Sequence, residues 1–228
     1  MKTRIQQGFT LIELLVVITI IALLASLALP AFSKFQEKGN YTKGISNARQ
    51  IVMVLKLYAS DHGGSYPDND KEAEPSDANS AFRVLFTEEA IDNELIFGCP
   101  ISPYIPDGNI GSDAEKTKAL EAGENHWMMT KGLSDSASGS IPLVYENALT
   151  GTWDPEWDNA KKGTNARGRS WSSGVIVGMN DGGAVMQPLE SKKGKSKLKE
   201  LGEGKNIFTQ HNAEDSEETF EVLDILDK

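Results

Sequence analysis

Residues 8–30 read GFTLIELLVVITIIALLASLALP, and this stretch decides the fold. From Phe9 to Leu29 it is apolar with hardly an interruption. At about 1.5 Å per residue a helix of that length covers roughly 30 Å, the thickness of a bilayer's hydrocarbon core. Lys2 and Arg4 precede the run and no acid does, so the positive-inside rule places the N-terminus in the cytoplasm. A secretory signal peptide has a shorter apolar core, followed by small residues at its cut. Ala25, Ala28 and Ala31 could mimic such a cut, which keeps an exported protein starting near Ala31 or Phe32 as an alternative. Glu13 argues against it. An acid inside a membrane segment is costly and marks a function with a partner. The simplest partner is a positive group from another copy.

Several features of this stretch coincide: Gly8 before Phe9, Glu13 five residues after the glycine, a basic leader, and Pro30 after the apolar run. Together they resemble the class III signal of type IV pilins and of type II secretion pseudopilins. The resemblance implies roles for matching residues. A prepilin peptidase cleaves between Gly8 and Phe9, and the new Phe9 amine is N-methylated. Glu13 pairs with the Phe9 amine of a neighbouring subunit during assembly. Amine and carboxylate attract more strongly in low dielectric than in water, so the pair would set the register between subunits. Cleavage removes Lys2 and Arg4, leaving 21 basic against 33 acidic side chains, a balance of −12. Pro30 lacks a backbone donor and clashes one turn back, so a helix kink is expected there. Gly39 and Gly44 weaken the following turns.

Beyond the membrane the pattern becomes amphipathic. Ile45, Ala48, Val52, Leu55 and Ala59 recur at spacings of three and four, with Ile51 and Tyr58 beside them, while Lys43, Asn47, Gln50 and Lys56 take other faces. This predicts the outer half of one long helix, ended by His62, Gly63 and Gly64. A short amphipathic helix is expected over Ser80–Ala90, a brief strand over Leu95–Phe97, and an irregular stretch over Pro103–Asn125 with a short helix at Ala114–Ala122. Trp127–Met129 and Pro142–Tyr145 read as strands. Gly151–Gly174, with Trp153, Trp157 and Trp171 among glycines and charges, reads as a long surface loop. Val175–Met179 and Ala184–Gln187 form a hairpin around Asn180-Asp181-Gly182-Gly183, read as a turn and nothing more. Ser191–Lys205 is Lys-rich and Asn212–Lys228 acid-rich, which reads as solvated tail, with an apolar patch at Phe220 to Leu226 able to dock.

The chemistry of an enzyme is missing. The histidines, His62, His126 and His211, are far apart and read as surface or capping residues. Cys99 is the single cysteine, so an internal disulfide or paired-cysteine site is excluded, and it reads as a small buried residue. The sequence holds no HExxH, no G-x-S-x-G and no Gly-x-Gly-x-x-Gly. Leu189 stands where a phosphate loop ending at Gly194-Lys195-Ser196 needs its first glycine. A formal charge of −10 argues against nucleic acid. Calcium is the ion to weigh, because some secretion pseudopilins bind it in a head loop. Its candidates are Asp68 and Asp70, with Glu72 near, and the group Asp107, Asn109 and Asp113. Neither set matches an EF-hand, and solvated loop acids are the reading adopted, with no cofactor.

The expectation is therefore an α+β pilin-like fold, a long N-terminal helix on a small antiparallel sheet. Its parts are a leader (1–8), a transmembrane or filament-core helix (9–30), an amphipathic continuation (31–64), a globular head (65–190) and a charged C-terminal tail (191–228). The function implied is a structural pseudopilin of a type II secretion system. Its partners would be itself and other pilin-like subunits, prepilin peptidase, an inner-membrane assembly platform and, before assembly, membrane lipid. It would be single-pass in the cytoplasmic membrane, N-terminus inside and head outside. The alternatives are a minor pilin of a type IV pilus, or an anchored enzyme or binding module using the N-terminus as a tether.

Overall fold

The structure, a computed structural model, describes residues 10–160, 167–211 and 220–227, without the side chains at 30 and 31. Helix α1 runs from Leu11 to Asp61 and continues through Pro30, Gly39 and Gly44. The chain forms two compact units that divide between Asn40 and Tyr41.

In the first unit the helix surface is apolar and bare. Leu15 and Leu24 stay 60% and 61% exposed. Among the described residues α1 is the helix long and apolar enough to cross a membrane. Its hydroxyls are turned inward on the backbone: Thr19 Oγ1 donates to Leu15 O (2.7 Å) and Ser26 Oγ to Leu23 O (2.7 Å). A polar group in hydrocarbon needs such a partner within its own helix.

In the second unit α1 buries the expected stripe. Ala48, Ile51, Val52, Leu55 and Ala59 are fully buried and Tyr58 nearly so. Asn47, expected on a polar face, is buried as well, because its Nδ2 donates to Gly98 O at 2.9 Å. The helix ends as expected: Gly64, at φ +88°, donates its N–H to Ala59 O at 2.8 Å. Helix α2 (Ala78–Thr87) starts on a reciprocal cap between Asp77 and Ser80.

Five strands form the main sheet: β1 (Trp127–Thr130), β2 (Pro142–Glu146), β4 (Val175–Met179), β5 (Ala184–Gln187) and β7 (Val222–Leu223), in the order β5-β4-β2-β1-β7. Every strand pairing within this sheet is antiparallel. A small second sheet pairs β3 (Trp157–Asp158) with β6 (Lys195–Ser196). The main sheet is covered on both faces, so β1 and β2 are buried along their whole length. One core holds Ile51, Leu55, Phe82, Trp127 and Ile176 between α1, α2 and the sheet. The other holds Met128, Tyr145, Trp157, Val177 and Phe208. Gly178 sets how close α1 lies: a Cβ there would meet Val52 Cγ2 at 2.7 Å.

Four expectations change. Glu94–Phe97 is a turn of 3-10 helix, started by Asn93 accepting the Leu95 N–H, not a strand. No helix forms over 114–122, where single turns stand instead. The stretch 151–174 is not a surface loop, since Trp157 is fully buried and Trp171 is 4% exposed. Residues 191–211 and 220–227 are not a tail. Leu198, Ile207, Phe208 and Ile225 close the second core, and β7 completes the sheet. Over Lys195–Lys199 the lysines alternate with the buried Ser196 and Leu198, so composition reads as solvated while the side chains between the lysines point inward.

Candidate functional site

The tip of α1 carries the sequence's most distinctive acid, and the structure gives it a partner in its own chain. Glu13 Oε2 accepts the Thr10 backbone N–H (3.0 Å) and hydroxyl (2.7 Å), while Thr10 Oγ1 accepts the Glu13 N–H (3.2 Å). This is a capping box: two of the helix's unpaired N–H groups are satisfied reciprocally. Its signal, Thr10-x-x-Glu13, is in the sequence, where the cost of an acid in an apolar run points to a partner from another copy and not to a cap. Gly8 and Phe9 lie outside the described residues. The expected kink at Pro30 concerns a residue whose side chain is also outside them.

The head holds a buried polar hub on Glu146. Its Oε1 faces the Trp171 indole N–H (2.8 Å), His126 Nε2 (3.3 Å) and the Cys99 thiol (3.4 Å), and its Oε2 accepts the Ile176 N–H (3.0 Å). Glu146 and His126 are buried, so the surface or capping reading of His126 does not hold; Cys99 is buried as expected. The hub lies directly under α1, since a Cβ on Gly44 would meet Ile176 Cδ1 at 2.6 Å and Cys99 Sγ at 3.2 Å. Tyr41 packs edge-on against Trp171.

Cys99, His126 and Glu146 offer three ligand atoms within 4.8 Å of one another, so a metal has to be weighed. The surroundings are built for hydrogen bonds instead. Asn147 Oδ1 accepts the Gly168 N–H, which turns its Nδ2 toward His126 Nδ1 at 2.7 Å. Nδ1 therefore accepts, and Nε2 carries the proton that points at Glu146. A metal-bound histidine needs the reverse, an acceptor facing its free ring N–H. Burial pushes the Cys99 thiol well above its ordinary range, and the neighbouring Glu146 adds to this, which disfavours the thiolate a metal would require.

The calcium candidates are engaged in hydrogen bonds. Asp70 Oδ1 accepts the N–H groups of Glu72 and Ala73, and its Oδ2 accepts the Tyr58 hydroxyl; these bonds, the Ala73 one foremost, hold its carboxyl below the usual range. Asp68 is buried, with Oδ2 accepting the Gly132 N–H at 2.6 Å and Oδ1 without a hydrogen bond. Asp107, Asn109 and Asp113 each begin a separate turn, accepting from Asn109, Gly111 and Thr117 respectively. Asp107 gathers instead with Glu94 and Glu124. Glu94 there is a loop staple, accepting the N–H groups of Gly108 (2.5 Å), Asn109 (3.2 Å) and Leu120 (3.1 Å).

The hairpin turn is more than a turn. Asn180 is buried, accepts the Tyr66 hydroxyl at 2.7 Å and donates to Ser134 O and Ala137 O, while its backbone carbonyl accepts from Lys56 Nζ of α1 at 2.8 Å, tying the helix to the sheet.

Comparison with known proteins bears on the helix tip. Residues 3–29 match the family model described as the prokaryotic N-terminal methylation motif. The chain is 29% identical over 157 residues to fimbrial protein EcpC of Eikenella corrodens, covering 68% of this chain and 100% of that protein. It is 27% identical over 124 residues to the type IV major pilin protein PilE1 of Neisseria gonorrhoeae, 54% of this chain and 74% of the pilin. It is 37% identical over 71 residues to the type II secretion system core protein G of Aeromonas hydrophila, 31% of this chain and 49% of that protein. The chain is type IV pilin-like. No solved structure matches it.

The motif match takes in Gly8, Phe9, Thr10 and Glu13 together, so the capping box of this pilin-like chain lies inside the family's own segment. These relatives carry names of structural subunits, and the chain is not an enzyme. The buried hub and the Asn180 tie serve the pilin-like head as fixings between the long helix and the sheet.

Proposed function

We propose that this chain is a filament subunit made as a precursor. Prepilin peptidase removes residues 1–8, and the Phe9 amine is methylated. The mature protein waits in the cytoplasmic membrane, with the start of α1 in the bilayer and the head outside. An inner-membrane platform then draws it into a filament with copies of itself and other pilin-like subunits. The bare apolar helix of the first unit supports this reading above all. Its large side chains from Leu11 to Leu29 are roughly half exposed or more, and they need lipid first and neighbouring helices later. Glu13, already capped by Thr10, would add the neighbour's Phe9 amine as a charge-assisted partner.

Within this class the similarity to secretion protein G supports a type II secretion pseudopilin. A second reading, a type IV pilus subunit, is favoured by the match that runs the full length of the fimbrial protein EcpC. N-terminal sequencing and intact mass of the purified protein test the shared core, with N-methylphenylalanine at position 9 as the expected start. A start at Met1, or near Ala31, removes the proposal. Deleting the gene separates the two readings: loss of secretion with twitching intact supports the first, and the converse the second.

A further inference from the structure

Residues 191–199 hold five lysines and no acid, in a chain whose formal charge is −10. Their placement is regular. Lys195, Lys197 and Lys199 are exposed, while Ser196 and Leu198 between them are buried. The segment is fixed on both sides: β6 pairs with β3 through Trp157↔Ser196, and Lys199 N–H and Lys197 O bond to Pro188 and Glu190. Three ammonium groups therefore stand in a row at a spacing of about 7 Å, the repeat of one strand face. Lys197 pairs with Asp154 at 2.7 Å. Lys195 and Lys199 pair with no acid among the described residues.

The opposite charge is gathered elsewhere on the head. Arg83 is the single base between Glu72 and Glu115, and its guanidinium is turned to the carbonyls of Ala119 and Leu120. At the C-terminal end of α2, Glu88, Glu89 and Asp92 are exposed, and no cation pairs with them among the described residues. Acids at this end of a helix face its negative pole, which is unfavourable by itself. Among the described residues the chain thus carries a fixed positive row and a negative corner to which no cation is paired, and no ion pair joins the two.

We propose that the Lys195–Lys199 row docks on the acidic corner Glu88, Glu89 and Asp92 of a second copy. This rests on the filament reading and names one of its contacts. Different patches meet in such a contact, so it is heterologous and repeats from copy to copy, the kind of contact from which an open filament is built when the rotation does not close. Like-charge repulsion between strongly acidic subunits would otherwise oppose their packing, and complementary patches fix register and exclude wrong alignments.

The test uses the full chain in its own cells, scored by mature subunit in the sheared filament fraction. The variants are K195E/K199E and E88K/E89K, with membrane abundance and protease resistance of the head confirming folding. Each variant alone is expected to lower filament yield about tenfold or more, and co-expression to restore it, because each reversed patch then meets its complement. The proposal is overturned if either variant assembles like wild type, or if co-expression fails to restore two well-folded variants. Loss confined to the lysine variant would also overturn it, pointing to an anionic lipid or polysaccharide as occupant. A wild-type chain that yields no filament would instead remove the subunit reading itself.

Discussion

Thr10 and Glu13 close on each other at the tip of α1, each side chain accepting the other's backbone N–H. The carboxylate is thus held in place before any neighbour arrives. Removing the hydroxyl with Thr10→Ala should cost the helix start about 1 kcal/mol, seen as fraying by amide exchange in detergent micelles. Filament yield should fall less than with Glu13→Ala, which removes the charge as well as the cap. Equal losses for the two variants would show that the cap, not the charge, matters.

Glu146 should be the most sensitive position of the head. Glu146→Ala strands four buried donors, on Cys99, His126, Trp171 and Ile176, and should destabilise by about 3–5 kcal/mol. Glu146→Gln keeps an acceptor oxygen and should lose less. Urea unfolding followed by tryptophan fluorescence reads both, since Trp171 reports on the hub directly.

Two glycine substitutions should act in opposite directions. Gly178→Ala drives a methyl into Val52, whose branched side chain has little freedom to turn, and should cost about 1–3 kcal/mol. Gly39→Ala meets nothing within 4 Å and should strengthen α1 by up to about 1 kcal/mol. Thermal unfolding checks the first and helicity by circular dichroism the second.

Asp68 should give the head a pH dependence in the acid range. Burial raises its carboxyl from 3.8 to about 6. A raised carboxyl favours the protonated folded state, so the contribution is complete below the unfolded value near 3.8 and is lost as pH rises through about 6. Asp68→Asn should flatten this part of the stability curve between those pH values, by about 3 kcal/mol at most. An unchanged slope in the variant would assign it to other groups.

Removing residues 220–228 should unfold the head instead of trimming a tail. Asp224 O accepts the Ala78 N–H, Leu226 O accepts the Gly123 N–H, and Arg167 pairs with both Asp224 and Asp227. The expected result is rapid proteolysis of the truncated head and loss of its cooperative thermal transition. A truncated protein melting near the wild-type temperature would contradict the role of β7.

Local pattern made the long helix, α2 and the β4–β5 hairpin legible, because period 3.6, an end at paired glycines and an Asp-Gly turn all lie within neighbouring residues. The hub was not legible. Its members sit at 99, 126, 146, 171 and 176, and nothing in the spacing joins them. Trp157 and Trp171 look exposed among glycines and charges, yet a two-residue strand and a buried carboxylate hold them. Thr10 and Glu13 were readable as a cap, but the cost of an acid in lipid drew attention to a partner outside the chain.

The edge at β7 bears on when the head can fold. Thr130 waits for Val222, about ninety residues downstream, and contacts of such long range slow the final closure. Until they form, β1 offers a free ribbon edge to any passing strand. A chain that emerges from its N-terminal end stays open to such mispairing for as long as the strand that seals the sheet is still missing.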